Sequence, residues 1–300
     1  MLRRNFRPHD RRVPVTDVTD REEILRAAGT IGLLQLRHGS GPNLLAALCD
    51  LQADADVIAS LVDREPGLAA RVLRVANSAF YGNARGVTTV GRALLVLGFD
   101  AVRGIAAAAC MDRGLIKPHE GAIIDFAAVV RHSLGTAVAA EHLARLGHRE
   151  LAGEAFVAGL LHNLGLPIQA RLDPAGLQRV VDALALDPTA DLRGLEASLT
   201  RVGHEQCAAV LFESWNLPPL LIDAIGNHHA PCEAPAGSRP LALLVHIAAE
   251  LSARHALRPP AEPLGSPWTD EAYRTMGIGA EAADEIGKGL AARVAVLVAA

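Results

Sequence analysis

Prolines and glycines divide this chain into segments in which apolar side chains recur at helical spacing. In the segment that begins at Pro66, Leu68, Val72 and Ala76 share one helix face, and proline suits the first turn of a helix. No segment shows the sustained alternation of apolar and polar residues that a half-buried β-strand requires. The pattern therefore predicts an all-α fold.

The composition favours helices that pack closely through small side chains. Hydrophobic residues, mainly alanine, leucine and valine, make up 50% of the chain, whereas aromatic residues make up 3%. A formal net charge of -4 gives no general attraction to nucleic acid or to an anionic membrane. No uninterrupted apolar run is long enough to span a bilayer. We therefore expect a cytoplasmic protein with neither nucleic acid nor membrane as a partner.

The cysteines point to a reducing compartment, because none belongs to a C-x-x-C pair and three lie in helical, apolar surroundings. Cys232 follows two adjacent histidines by three residues, in the sequence H-H-A-P-C. It is a conceivable soft metal ligand, but a loop cysteine near a histidine is more often incidental, and we prefer that interpretation. The four cysteines are Cys49, Cys110, Cys207 and Cys232.

The chain is predicted to comprise four parts. Residues 1–20 form a flexible basic arm, and residues 21–115 form an N-terminal helical subdomain. A helical core follows at 118–258, and a helical tail occupies 269–300. Residues 256–268, which are rich in proline and glycine, are interpreted as a linker.

Three finer predictions concern the helices. Single helices are expected over about 122–146 and about 192–212, and one or two amphipathic helices in the tail. Residues 289–298 are apolar enough to pair with a second copy of the chain, so a homodimer is one expectation for its assembly.

Histidine is the residue type with the most direct chemical implication. Histidines from several helices can build a metal site, because imidazole nitrogen is a good ligand near neutral pH. A single helix-borne histidine is more often a core or surface residue with a satisfied hydrogen bond. Their spacing must therefore decide whether they act together. Five of the 12 histidines fall at helical positions from residue 132 onward: His132, His162, His204, His228 and His229.

Four ordered motifs give this spacing a meaning. The sequence FVAGLLHNLG at 156–165 resembles the signature of the HD superfamily of metal-dependent phosphohydrolases, in which a helix ends in G-L-L-H-D-I-G. Residues 63–82 (DREPGLAARVLRVANSAFYG) and 90–98 (VGRALLVLG) resemble two N-terminal elements of its HDOD branch. Residues 203–229 resemble the HDOD pattern G-x-x-H…W-x-L-P…A-I-x-x-H-H. The resemblance implies an HD-like helical core with an additional N-terminal helical subdomain.

The HD resemblance also implies a ligand set and shows where this chain departs from it. Catalytic members hold divalent metals with an early His, a His-Asp pair, a late Asp and, in two-metal versions, further histidines. The matching positions are His132, the pair His162 and Asn163, the further histidines His204, His228 and His229, and Ala249 at the late Asp.

The chain thus lacks both carboxylates of the HD pattern. Asn163 is nearly isosteric with Asp but neutral, and it offers a single carbonyl oxygen as ligand. Ala249 offers no ligand at all, and Glu250 lies about 100° further round the helix. We therefore expect no catalytic residue and no bound cofactor. A divalent metal held by the five histidines is the alternative, and a fully hydrogen-bonded polar network of His132, His162 and Asn163 is the structural interpretation.

A second candidate region lies in the N-terminal subdomain. Asn77, Ser78 and Tyr81 can line a groove that contacts a partner or small ligand. The interpretation that we prefer is structural, with Asn77 and Ser78 capping a helix end and Tyr81 anchoring the junction.

The resemblance implies a regulatory role. We expect a non-enzymatic bacterial signal-transduction protein that binds other signalling proteins. Two alternatives use the old pocket: a degenerate metal-dependent phosphohydrolase acting on a cyclic dinucleotide or nucleotide phosphodiester, and a receptor that binds a nucleotide second messenger.

Overall fold

The computed structural model describes residues 18–30, 55–63, 66–77, 87–98, 102, 105, 123–215, 217–266 and 269–298. Within these ranges all regular secondary structure is helical, which confirms the all-α prediction. The helices are α1 (Val18–Thr30), α2 (Ala55–Asp63), α3 (Pro66–Ala76), α4 (Val90–Leu97), α5 (Phe126–Gly147), α6 (Ala152–Leu161), α7 (Gly165–Leu172), α8 (Pro174–Leu186), α9 (Leu192–Leu199), α10 (His204–Ser214), α11 (Pro219–Ile225), α12 (Arg239–Ser252), α13 (Thr269–Met276), α14 (Ala280–Lys288) and α15 (Leu290–Val298).

Helix α5 is the centre of the core and packs against both α6 and α12. Its first turn is capped by Asp125, whose carboxylate accepts a hydrogen bond from the backbone N–H of Ala127. The approach of α6 is close because Gly159 lies on the backbone of α5. A Cβ atom at Gly159 would be 2.8 Å from Cα of Ala137. This close packing fixes the end of α6, where His162 follows, relative to His132 on α5.

The N-terminal helices divide between two locations. Helices α2, α3 and α4 pack against one another, whereas α1 packs against α7 and α10 of the core. The first described helix therefore packs directly on the core. The predicted basic arm and the predicted boundary near 115–118 lie almost entirely outside the described residues.

The prediction of one helix over 192–212 is wrong. Helix α9 ends at Leu199 and α10 begins at His204. The break allows the carboxylate of Glu196, in α9, to accept hydrogen bonds from the backbone N–H of His204 at 3.2 and 3.3 Å. A continuous helix would have used that N–H for its own ladder.

The interpretation of 256–268 as a linker is also wrong. Ala261 and Glu262 are only 1% and 3% exposed, so this segment is part of the interior. The tail contains three helices, α13–α15, where one or two were expected, and they pack on α5 and α12. Leu290, Val294 and Leu297 of α15 are buried in this packing, so the apolar face considered for dimer formation is used within the chain.

Within the described residues, one helical run, Arg149–Leu172, is long and apolar enough to cross a membrane by length and composition alone. It comprises a 3₁₀ turn, α6 and α7, and 78% of its most apolar window is buried against the rest of the chain. This burial is typical of a core helix in a folded domain.

Candidate functional site

The structure brings all five predicted histidines into one pocket. His132 lies on α5, His162 follows α6, His204 begins α10, and His228 and His229 follow α11. Neighbouring rings form a continuous chain, with ring centroids 4.1 to 5.3 Å apart from His132 through His162 and His228 to His204 and His229. We call these five side chains the histidine pocket.

Backbone carbonyls orient two of the rings. Nδ1 of His162 lies 2.7 Å from the carbonyl oxygen of Gly159, and Nδ1 of His228 lies 2.7 Å from that of Ile225. A carbonyl oxygen can only accept, so Nδ1 must carry the proton in both rings. The lone pair is thereby left on Nε2, which is the arrangement of a histidine prepared to bind a metal.

A carboxylate orients a third ring. Nδ1 of His204 donates to Oε1 of Glu196 at 2.8 Å, and Gln169 donates to the same oxygen at 2.8 Å. Burial lowers the pKa of His204, but the hydrogen bond to Glu196 and the attraction by Glu196, Glu205 and Glu262 together outweigh it and raise the pKa above its usual value. Glu196 thus fixes both the ring and the backbone at the start of α10.

The inner nitrogens of the pocket have no hydrogen-bond partner. Nε2 is buried and unpaired in each of the five histidines. The interpretation as a fully satisfied polar network is therefore wrong for these rings. An unpaired buried polar atom is costly, and five such atoms facing one pocket require a common explanation.

Burial also keeps most of these rings neutral. It lowers the pKa of His162 to about 3 and places the pKa values of His132, His228 and His229 well below the usual value. Neutral imidazole is the form that coordinates a metal.

A carboxylate that the sequence analysis assigned to the linker enters the pocket. Oε2 of Glu262 accepts a hydrogen bond from Nδ2 of Asn163 at 3.1 Å and lies 3.6 Å from Nε2 of His132. Burial raises the pKa of Glu262 to about 7, although the hydrogen bond from Asn163 lowers it. Oδ1 of Asn163 is buried and has no hydrogen-bond partner among the described residues.

A second pair of charges supports the other side of the pocket. Glu205 accepts a hydrogen bond from the backbone N–H of His229 at 2.9 Å and lies 3.3 Å from Nδ1 of His228. Arg193 compensates this buried carboxylate at 2.9 Å and also reaches Glu233 at 2.8 Å. The ion pair between Glu205 and Arg193 therefore supports the two adjacent histidines, His228 and His229.

The remaining predicted positions lie elsewhere or add no ligand. Ala249 is on α12 and is 4% exposed. The neighbouring Glu250 binds Arg254 at 2.7 Å and the backbone N–H of Gly265 at 3.0 Å. Cys232 belongs to neither group of candidate metal ligands within the described residues.

The second candidate region is only partly described. The side chain of Asn77 donates to the carbonyl oxygens of Leu73 and Val87, both at 2.8 Å, and accepts from the N–H of Val87 at 2.6 Å. These bonds tie the end of α3 to the segment before α4. Ser78 and Tyr81 lie outside the described residues.

The donor atoms fall into two groups that fit metal ions. His204, His228 and His229 form one, and His132, His162 and Glu262 form the other; within each, the ligand atoms lie within 4.8 Å of one another. Three nitrogens, or two nitrogens and a carboxylate oxygen, are the protein ligands of many zinc sites. The residues present therefore fit the divalent metals that the HD resemblance implies.

The three carboxylates that support the pocket were not among the residues predicted from the sequence. Glu196, Glu205 and Glu262 come from α9, α10 and the supposed linker. Glu205 directly follows His204, which could have marked it as a partner. Glu262 stands between an alanine and a proline, and this local sequence gives no sign of burial.

Comparison with known proteins places this architecture in a family. The HDOD domain model matches residues 42–231. A candidate signal transduction protein from Marinobacter aquaeolei VT8 has 26% sequence identity to this chain and a structure that matches with a TM-score of 0.71. The match covers 94% of this chain and 64% of the Marinobacter chain. A candidate phosphohydrolase from Shewanella amazonensis SB2B has 25% sequence identity to this chain and a TM-score of 0.66. The match covers 92% of this chain and 98% of the Shewanella chain.

One curated relative and one further solved structure are also similar to this chain. An uncharacterized protein from Treponema pallidum (strain Nichols) is 25% identical over 195 residues, which is 65% of this chain. The match spans only 37% of that relative's length. An HDOD domain protein of unknown function from Geobacter sulfurreducens, 23% identical with a TM-score of 0.64, covers 93% of this chain and 98% of its own and shares the fold. The match of the family model to most of the chain shows that this protein belongs to the HDOD domain family.

Proposed function

We propose that this HDOD protein is a regulatory signal-transduction protein whose histidine pocket holds divalent metal ions as part of its folded core, and that it acts by binding other signalling proteins. Similarity to the Marinobacter protein, named as a candidate signal transduction protein, supports the regulatory part. The pocket supports the metal part.

The observation that carries the metal proposal is the set of five buried, unpaired Nε2 atoms. Nδ1 is bound to a carbonyl or a carboxylate in His162, His204 and His228, so their Nε2 lone pairs are directed by contacts outside the pocket. A bound divalent ion would satisfy these lone pairs together, and when bound it would supply Lewis acidity and positive charge.

Two observations favour a structural or sensing role for the ion over hydrolysis. Asn163 and Ala249 replace the two carboxylates that HD enzymes use. In addition, His132, His162 and His204 are 0% exposed and His228 is 1% exposed. A phosphodiester must reach the ions to be cleaved; these four enclosed rings limit its approach, and His229 is the one ring of the five that is partly exposed.

A phosphohydrolase is the second candidate function, favoured by one specific observation. The carboxylate of Glu262 lies in the pocket, so the negative charge lost at Asn163 and Ala249 is partly restored. The structural similarity to the Shewanella candidate phosphohydrolase points the same way.

Hydrolysis separates the two candidates. Protein reconstituted with zinc or manganese is expected to cleave bis(p-nitrophenyl) phosphate and a cyclic dinucleotide no faster than its His162→Ala variant does. Turnover of either compound that rises with metal content and is lost in His162→Ala would establish the phosphohydrolase and reject the non-enzymatic role.

A further inference from the structure

The segment of residues 258–265, which we call the strap, carries Glu262, whose carboxylate is the one among the described residues that contacts both His132 and Asn163. It is separated from α12 by a π-helical turn, Ala253–Leu257, and Ala261 and Glu262 are buried at 1% and 3% exposure. The two positions at which the HD pattern has carboxylates are Asn163 and Ala249 in this chain. Glu262 thus supplies a carboxylate from a part of the chain outside that pattern.

The strap is held in place at several points. The backbone N–H of Gly265 donates to Glu250 at 3.0 Å, and that of Leu264 donates to the carbonyl oxygen of Pro188 at 2.6 Å. Nε of Arg258 donates to the carbonyl oxygen of Glu262 at 2.8 Å. These bonds fix the backbone of the strap, so Glu262 is presented to the pocket in a defined position and does not need to be ordered by a ligand.

The carboxylate of Glu262 has polar neighbours but no cation in contact. Its contacts are Nδ2 of Asn163 at 3.1 Å and Nε2 of His132 at 3.6 Å. Among the described residues it makes no ion pair with lysine or arginine. A carboxylate buried in this way is costly unless a positive charge compensates it.

The arrangement of the candidate ligand atoms indicates that a metal cation can supply this compensating positive charge. The carboxylate and the ring nitrogens of His132 and His162 lie within 4.8 Å of one another, as one group. Since Nε2 is unpaired in both histidines, one cation placed among the three side chains would satisfy both nitrogens and the carboxylate.

We propose that Glu262 is a metal ligand that replaces the lost carboxylates, so that the pocket contains two unlike metal sites. His132, His162 and Glu262 form a mixed nitrogen–oxygen site, which we call the strap site. His204, His228 and His229 form an all-imidazole site. This proposal rests on the proposed function only in requiring that the pocket binds metal.

The two sites differ in the ions that they suit. Two imidazoles and a carboxylate accept zinc, iron(II) and manganese, whereas three imidazoles favour zinc, nickel and copper. Zinc suits both and is therefore the appropriate probe. Because Glu262 is on the strap, loss of the ion from the strap site would leave the strap with an uncompensated buried charge.

The experiment measures zinc stoichiometry in the full chain after reconstitution and desalting. The wild type is expected to retain two equivalents, and Glu262→Gln one, because glutamine keeps the size and an oxygen for Asn163 but loses the charge. The matched control is Glu281→Gln, at an exposed position of α14, which is expected to retain two. His229→Ala is expected to retain one equivalent, and the double variant Glu262→Gln/His229→Ala none.

The outcomes separate the two proposals. Two equivalents in both the wild type and Glu262→Gln would overturn the role of Glu262 and leave the metal-binding pocket intact. No zinc in the wild type would reject the proposed metal pocket itself. If Glu262→Gln does not fold, Glu262→Asp decides, since it keeps the charge and should recover the second equivalent at higher zinc concentration; failure to do so would also overturn the proposal.

Discussion

Gly165→Ala is expected to lower the free energy of unfolding by about 3 kcal/mol or more. Gly165 begins α7 two residues after Asn163, with Leu164 between them. A Cβ atom at this position would lie 1.8 Å from the carbonyl oxygen of His204 and 3.0 Å from the backbone nitrogen of Ala208. Both are backbone atoms of α10, so no rotation of a side chain can relieve the overlap.

The close packing of Gly165 on α10 sets the distance between His162 and His204, because α7 follows His162 and α10 begins with His204. Alanine at 165 would force these helices apart and move the two histidines away from each other. Urea unfolding measures the loss of stability.

The same substitution at Gly91 is the control. Gly91 lies in α4, and a Cβ atom there would have no neighbour within 4 Å. Gly91→Ala should therefore leave stability unchanged or raise it by about 0.5–1 kcal/mol, since alanine favours helix. Similar unfolding midpoints for the two variants would contradict the close packing of α7 on α10.

Removing the metal from zinc-reconstituted protein is expected to lower the melting temperature by about 10 °C. A ligand present at about 1,000 times its dissociation constant stabilises a folded protein by about 4 kcal/mol if it does not bind the unfolded chain. For a chain of this size, each 1 kcal/mol corresponds to about 2–4 °C. The metal-free pocket would retain five unpaired Nε2 atoms and the buried Glu262 carboxyl group, which is the physical source of the loss.

Differential scanning calorimetry with and without EDTA measures this shift. EDTA already saturated with zinc is the control for effects of the chelator itself, and it should leave the melting temperature unchanged. Equal melting temperatures for the metal-free and zinc-loaded protein would show that the folded core does not depend on metal.

The grouping of the five histidines and the all-α class could both be predicted from the sequence, because the signals for them are local. Helical spacing and proline or glycine at segment ends are local properties. The motif at 156–165 contains both His162 and the packing glycine Gly165, so a short stretch of sequence specifies a histidine of the pocket and the close helix packing beside it.

The supporting carboxylates could not be predicted because their contacts are distant or depend on a helix break. Glu262 meets Asn163 across 99 residues of chain, and its segment has no periodicity. Glu196 reaches His204 only because α9 ends at Leu199, a break that the apolar pattern of 192–212 does not reveal. The motif positions lack the two carboxylates of the HD pattern, at Asn163 and Ala249, but the fold brings another carboxylate, that of Glu262, to the pocket.

Diffraction data collected above the zinc absorption edge, from crystals of the zinc-reconstituted protein, test the metal-binding pocket most directly. We expect two anomalous peaks inside the core, one among the Nε2 atoms of His204, His228 and His229 and one among His132, His162 and Glu262. Each zinc should lie about 2.0–2.1 Å from its histidine nitrogens. A histidine pocket without an anomalous peak, in crystals that show zinc only at the surface, would contradict the proposal.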